Sequence, residues 1–107
     1  MRVSGIALSV HIFVHCAAAV VWDPGKLESN IGKHGVGFAE AALVLEDPAA
    51  ITVVDDESDP LEQRFVTLGA DAAGRILVVV YTWRGDDIRL ISARQAEPHE
   101  RKEYEKQ

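Results

Sequence analysis

The chain has 107 residues, 48% of them apolar and 26% charged, with a formal net charge of −6. That length and composition describe one small globular domain and exclude a disordered or collagen-like chain. A single cysteine, Cys16, leaves neither an intrachain disulfide nor a cysteine-based zinc site, so a reducing compartment is the default.

The charge is unevenly placed. Residues 46–62 hold seven acids (Glu46, Asp47, Asp55, Asp56, Glu57, Asp59 and Glu62) and no base, which leaves ten acids against eleven bases elsewhere. Five of the seven arginines fall between Arg64 and Arg94. A net −6 by itself argues against a nucleic-acid partner, but its confinement to one segment weakens that objection. An acidic run is ordinarily a solvated loop; a surface covered by a basic partner is the other reading.

Gly5 to Val21 is almost continuously apolar, interrupted by His11 and His15. The run falls short of the roughly 20 residues that a membrane-spanning helix needs. Three readings stand: a strand over Ala18 to Trp22 preceded by an extension, a secretory signal cleaved after Ala17-Ala18-Ala19, or an anchor. The chain divides into an apolar extension, 1–17, and a folded domain, 18–107.

Asp23-Pro24 reads as a helix N-cap followed by proline at the first helical position, and Gly35 as the left-handed stop after Lys33-His34. Leu27, Ile31 and His34 recur at helical spacing and predict one buried face, with Lys26, Asn30 and Lys33 on an adjoining polar face. A second helix follows Gly37 with Phe38, Ala41, Ala42 and Leu45 as its apolar stripe, and Asp47-Pro48 ends it. Ile51 to Val54 is a short β-branched strand before the acidic loop. Glu62 to Gly69 alternates, with Arg64, Val66 and Leu68 on one face and Phe65 and Thr67 on the other. Arg75 to Arg84 is apolar on both faces and therefore central; a turn at Arg84-Gly85-Asp86-Asp87 pairs it with Ile88 to Arg94. A charged helix starts near Glu97-Pro98 and ends near Tyr104. The order β-α-α-β-β-β-β-α predicts an α+β domain whose sheet is antiparallel or mixed, with helices packed on one side.

No Gly-rich phosphate loop, zinc-ligand spacing or nucleophile elbow is present. What remains is Lys33, His34, Arg64, Arg75, Arg84, Arg89 and Arg94, with Thr82, Ser92 and Tyr104. Such a set suits metal-free RNA cleavage, in which a 2′-hydroxyl attacks the adjacent phosphorus. Histidine can move protons near neutral pH, and arginine grips phosphate oxygens with a planar fork. Each residue also has an ordinary reading: His34 as a packed core histidine, the arginines as surface or sheet-edge charges.

A colinear pattern runs from Trp22 to Tyr104. It comprises Trp22-Asp23, Lys26, Asn30, Lys33-His34-Gly35-Val36, Phe38, Ala41, Ala42, Glu62, Arg64, Gly69, Gly74, Leu77 to Tyr81, Arg84, Arg89, Ile91-Ser92-Ala93-Arg94, Ala96, Glu100 and Tyr104. The pattern resembles the BrnT family, the toxin half of type II toxin–antitoxin pairs. The resemblance implies a RelE-like fold, with two N-terminal helices packed on a small antiparallel sheet and a short C-terminal helix. It also implies a cytoplasmic, metal-independent endoribonuclease that needs no cofactor and inhibits translation without engaging a membrane. A BrnA-like ribbon-helix-helix antitoxin would neutralise it in a heterotetramer and alone contact DNA. Carried over by position, His34, Arg64 and Arg94 are the expected catalytic residues. Lys33, Arg84, Arg89 and Ser92 are expected to bind substrate, and Glu62 to orient Arg64. The alternative is a non-catalytic module that keeps the fold to bind an antitoxin in operon regulation. Residues 1–16 have no counterpart in the family pattern. Gly37 and Glu97 replace its Ser or Thr caps, each a loss of about 1 kcal/mol or less.

Overall fold

The computed structural model describes residues 19–106 apart from 56, 58 and 60. The elements are β1 (Val20–Val21), α1 (Pro24–His34), α2 (Phe38–Val44), β2 (Ile51–Val54), β3 (Arg64–Ala70), β4 (Ile76–Arg84), β5 (Asp87–Gln95) and α3 (Pro98–Glu105), in the expected order. The extension expected over 1–17, and a strand start at Ala18, lie outside the described residues.

Local chemistry sets the helix ends. The Asp23 carboxylate accepts the Gly25 N–H at 2.8 Å, and Pro24 occupies the first turn, where no N–H is needed. Gly35 ends α1 with φ 68°, and its N–H reaches the Ile31 carbonyl at 2.9 Å. The missing Ser or Thr caps are partly offset: the Gly37 N–H donates to Glu40 at 3.0 Å and the Glu97 N–H to Glu100 at 2.8 Å. After Val44, α2 tightens into i→i−3 bonds, such as Asp47 N–H to the Val44 carbonyl at 3.1 Å, before Pro48 stops it.

Among the described residues the sheet has five strands in the order β1-β5-β4-β3-β2. Strands β2 to β5 pair antiparallel in sequence, while β1 lies parallel to β5 through Val20↔Ile88 and Val21↔Arg89. The α+β class is as expected, and the sheet is mixed rather than wholly antiparallel. A parallel pair needs a long crossover, and the chain from α1 through β4 supplies one.

The two N-terminal helices cover one face, here called inner. Leu77, Val79 and Tyr81 of β4 and Ile88, Leu90 and Ala93 of β5 meet Phe38, Ala41, Val44 and Leu45 there. Trp22 closes the layer edge-on to Phe38, with ring centroids 6.0 Å apart. Ala42, expected in the stripe, is only half-buried, and Val44 takes that place. The approach of α2 to β3 requires Gly69: a Cβ there would stand 3.0 Å from Val44 Cγ1 and 3.1 Å from Ala50 Cβ.

The expected buried face of α1 is corrected. His34 is exposed, Ile31 is 49% exposed, Leu27 is half-buried, and Asn30, expected among the polar residues, is only 4% exposed. Strand β1 covers β5 only at Ile88 and Arg89, so the backbone at Ala93 would otherwise be bare. Asn30 supplies what is missing. It donates to the Ala93 carbonyl at 2.8 Å and the Val36 carbonyl at 2.9 Å, and accepts the Ala93 N–H at 3.0 Å.

Candidate functional site

The outer face of the sheet is shaped by one irregularity. In the β4–β5 ladder Tyr81 pairs with Leu90 but Val80 pairs with Ser92, so Ile91 is an extra residue. Strict alternation from the buried Ile88 and Leu90 would turn Ser92 and Arg94 inward. The bulge reverses the phase, so that Ala93 faces the core while Ser92 and Arg94 join Arg89 on the outer face.

The register then gathers five of the expected site residues on that face. Arg64 lies opposite Thr82, and Thr82 opposite Arg89, which makes one row across three strands. The two arginine backbones are therefore about 9–10 Å apart, two strand spacings. Val66, Val80 and Ser92 form the next row, and Leu68, Val78 and Arg94 the third. Arg84 stands at the hairpin end, opposite Asp87. Thr82 is buried and donates to the Gln63 carbonyl at 2.8 Å, which fixes the start of β3.

Electrostatic partners divide these cations. Glu62 reaches Arg84 at 3.5 Å, not Arg64 as expected from sequence. Arg94 is held by both oxygens of Glu100 on α3, at 2.8 and 2.9 Å, in a fork-to-fork grip. Donation from Arg94 holds the Glu100 carboxyl down to about 2, against the opposing effect of burial, and the Glu97 N–H adds to it. The same bond raises the Arg94 pKa further. Arg89 makes no ion pair among the described residues.

Lys33 and His34 are exposed in the last turn of α1, beside the β5 edge rather than on a strand of the sheet. The Lys33 charge suits the carbonyl end of a helix. Asn30 ties that turn to Ala93, the residue between Ser92 and Arg94. Helical spacing sets Asn30 on the polar face, and its position in the family pattern is the signal that marks it.

Two polar residues of the wider set are structural. Arg75 bridges Asp71 at 2.9 Å and Glu40 at 2.8 Å, binding the β3–β4 turn to α2. Burial would raise the Asp71 carboxyl, but the Arg75 and Ala73 donors outweigh it and lower its pKa. Tyr104 donates to Asp47 at 2.6 Å, which pushes the phenol up to about 12. Burial opposes ionisation of Asp47 too, and donation from Tyr104, Ala70 and Ala49 overcomes it.

Among the described residues, no group of three or more His, Cys, Asp or Glu is placed to hold a metal ion. No helix among them is long and apolar enough to cross a membrane.

Two helices on one face of a small mixed sheet, arginines in register on the other, and a C-terminal helix at its end define a RelE-like α+β domain. The sequence profile described as "Ribonuclease toxin, BrnT, of type II toxin-antitoxin system" matches residues 22–100, and the chain belongs to that family. The crystal structure of the Brucella abortus ribonuclease toxin BrnT is similar: TM-score 0.61 and 25% identity, over 76% of this chain and 99% of that one. No curated protein sequence matches the chain.

Proposed function

We propose that this chain is the toxin of a type II toxin–antitoxin pair, a cytoplasmic endoribonuclease that works without metal and arrests translation. The observation that carries this reading is the outer face, where the bulge in β5 sets Ser92 and Arg94 beside the Arg64–Thr82–Arg89 row. Arginines fixed on a rigid sheet are pre-organised to hold phosphate oxygens and to stabilise charge developing at phosphorus.

In the proposed reaction the 2′-hydroxyl attacks the adjacent phosphorus and the P–O5′ bond breaks. A 2′,3′-cyclic phosphate and a 5′-hydroxyl result, with one proton removed from O2′ and one delivered to O5′. His34 is the candidate for proton transfer or phosphate contact. Arg64 and Arg94 are the candidate transition-state cations, while Lys33, Arg84, Arg89 and Ser92 bind the flanking chain. Glu62 acts on Arg84 instead of Arg64. The Arg94 fork already holds a planar anion, the Glu100 carboxylate, and an RNA phosphate competes for it.

The antitoxin is a BrnA-like ribbon-helix-helix protein that forms a heterotetramer with the toxin and supplies the DNA contact. Growth should stop on induction of this chain alone and resume on co-expression of the small protein encoded beside it. Purified chain should cleave RNA in excess EDTA. A second reading, a non-catalytic antitoxin-binding module, draws on the carboxylates that hold Arg84 and Arg94. Folded protein that leaves RNA intact yet binds the antitoxin would establish that reading and overturn the first.

A further inference from the structure

Strand β2 closes the sheet on the side away from β1, and its outer edge is unpaired among the described residues. Its register fixes which backbone groups face outward. The Asp55 N–H donates to the Arg64 carbonyl at 2.9 Å, so Asp55, Val53 and Ile51 bond inward to β3. Thr52 and Val54 are the alternate residues, and their N–H and C=O groups point away from the sheet. The close Thr52–Thr67 hydroxyl contact, 2.8 Å, marks that pair as the non-hydrogen-bonded kind.

Edge strands are commonly blunted by charge, proline or a bulge. None of these is present within β2, whose side chains are Ile, Thr, Val and Val, with Val53 55% and Val54 42% exposed. Charge lies at its ends instead: Glu46 before it, Glu57 and Asp59 after it, all exposed. A second copy of this chain pairing edge to edge would bring two such acidic segments together, which like-charge repulsion opposes. A strand flanked by lysine or arginine would meet complementary charge at both ends.

We propose that the β2 edge is a docking surface that takes an extended, basic polypeptide segment as a sixth strand, bonded to Thr52 and Val54. Assigning that segment to the antitoxin rests on the proposed toxin function; the strand addition does not.

The test uses the full chain, isotopically labelled, and two end-blocked peptides: Lys-Val-Thr-Val-Thr-Val-Lys and its counterpart with glutamate at both ends. The lysine peptide should shift the Thr52 and Val54 amide resonances, slow their hydrogen exchange, and bind more weakly as salt rises. The glutamate peptide should do neither. Val54→Pro removes an outward donor that bonds nothing within the fold, and should abolish the response while circular dichroism and RNA cleavage stay unchanged. Equal response to both peptides, or response confined to other residues, would overturn the proposal. So would dimerisation through β2, pairing of the edge with residues 1–18, or no response to either peptide, the last leaving the acids as solubilising charge only.

Discussion

On the inner face of the sheet, polar side chains are committed to the fold. Asn30 completes the bare backbone of β5, and Thr67 donates to Tyr81 at 3.1 Å beneath the helices. On the outer face, Glu62 holds Arg84 and Glu100 holds Arg94, while Arg64 and Arg89 lie across Thr82 in one row. The difference separates stability from chemistry. Substitutions inside should unfold the domain, and substitutions outside should silence it while it stays folded.

The largest effect expected is on chemistry. Arg64→Ala should lower RNA cleavage by roughly 10²–10³-fold, the magnitude typical of losing one pre-organised charge-stabilising group, and Arg89→Ala should lower it by about tenfold through weaker hold on the flanking chain. Urea unfolding should shift by no more than about 1 kcal/mol in either, since Arg64 is exposed and Arg89 half-buried. Matched losses of activity and stability would break the division between the faces.

Asn30→Ala should be the most destabilising of the inner changes. It strands the Ala93 N–H and the Ala93 and Val36 carbonyls, and should cost about 2–4 kcal/mol in chemical denaturation. Gly69→Ala forces a Cβ against Val44 and Ala50, and should cost about 1–3 kcal/mol in the same measurement. A neutral result in either would show that the inner layer adjusts more freely than its packing implies.

Glu100 sits on the boundary between the two regimes. Its folded pKa of about 2 lies below the ordinary carboxyl value of 4.5, so the Arg94 bond contributes stability above pH 4.5 that is lost as pH falls toward 2. Asp47 and Asp71, also lowered, act in the same direction. Tyr104, raised from 10.0 to about 12, contributes stability that is complete below pH 10 and lost as pH rises through 12. Glu100→Gln should cost about 1–2 kcal/mol at neutral pH and flatten the acid limb of a stability–pH curve. It should also strengthen RNA binding by removing the carboxylate that competes for Arg94. Unchanged affinity would mean that Arg94 serves the fold alone.

Much of this was legible in the sequence because the signals were local. Asp23-Pro24, Gly35, Asp47-Pro48 and the Arg84 to Asp87 turn each act within a few residues, and each stands where it was expected. Two features were not legible. Apolar spacing put His34 inward and Asn30 outward because periodicity registers side-chain hydrophobicity, not the backbone groups that a buried amide must satisfy. The bulge at Ile91 was invisible for a related reason: a one-residue phase change in a strand leaves composition untouched and reverses every face after it. Family pattern pointed to Ser92 and Arg94; only the ladder shows why both reach the face that holds Arg89.

The most direct test of that face as the site of RNA cleavage is the initial cleavage rate of the purified Arg64→Ala/Arg89→Ala double variant in EDTA. It would be compared with the unsubstituted chain at equal folded fraction. A rate lower by about 10³-fold or more is the predicted result. A rate within about threefold of the unsubstituted chain would contradict it, since a difference that small is under 1 kcal/mol of transition-state stabilisation.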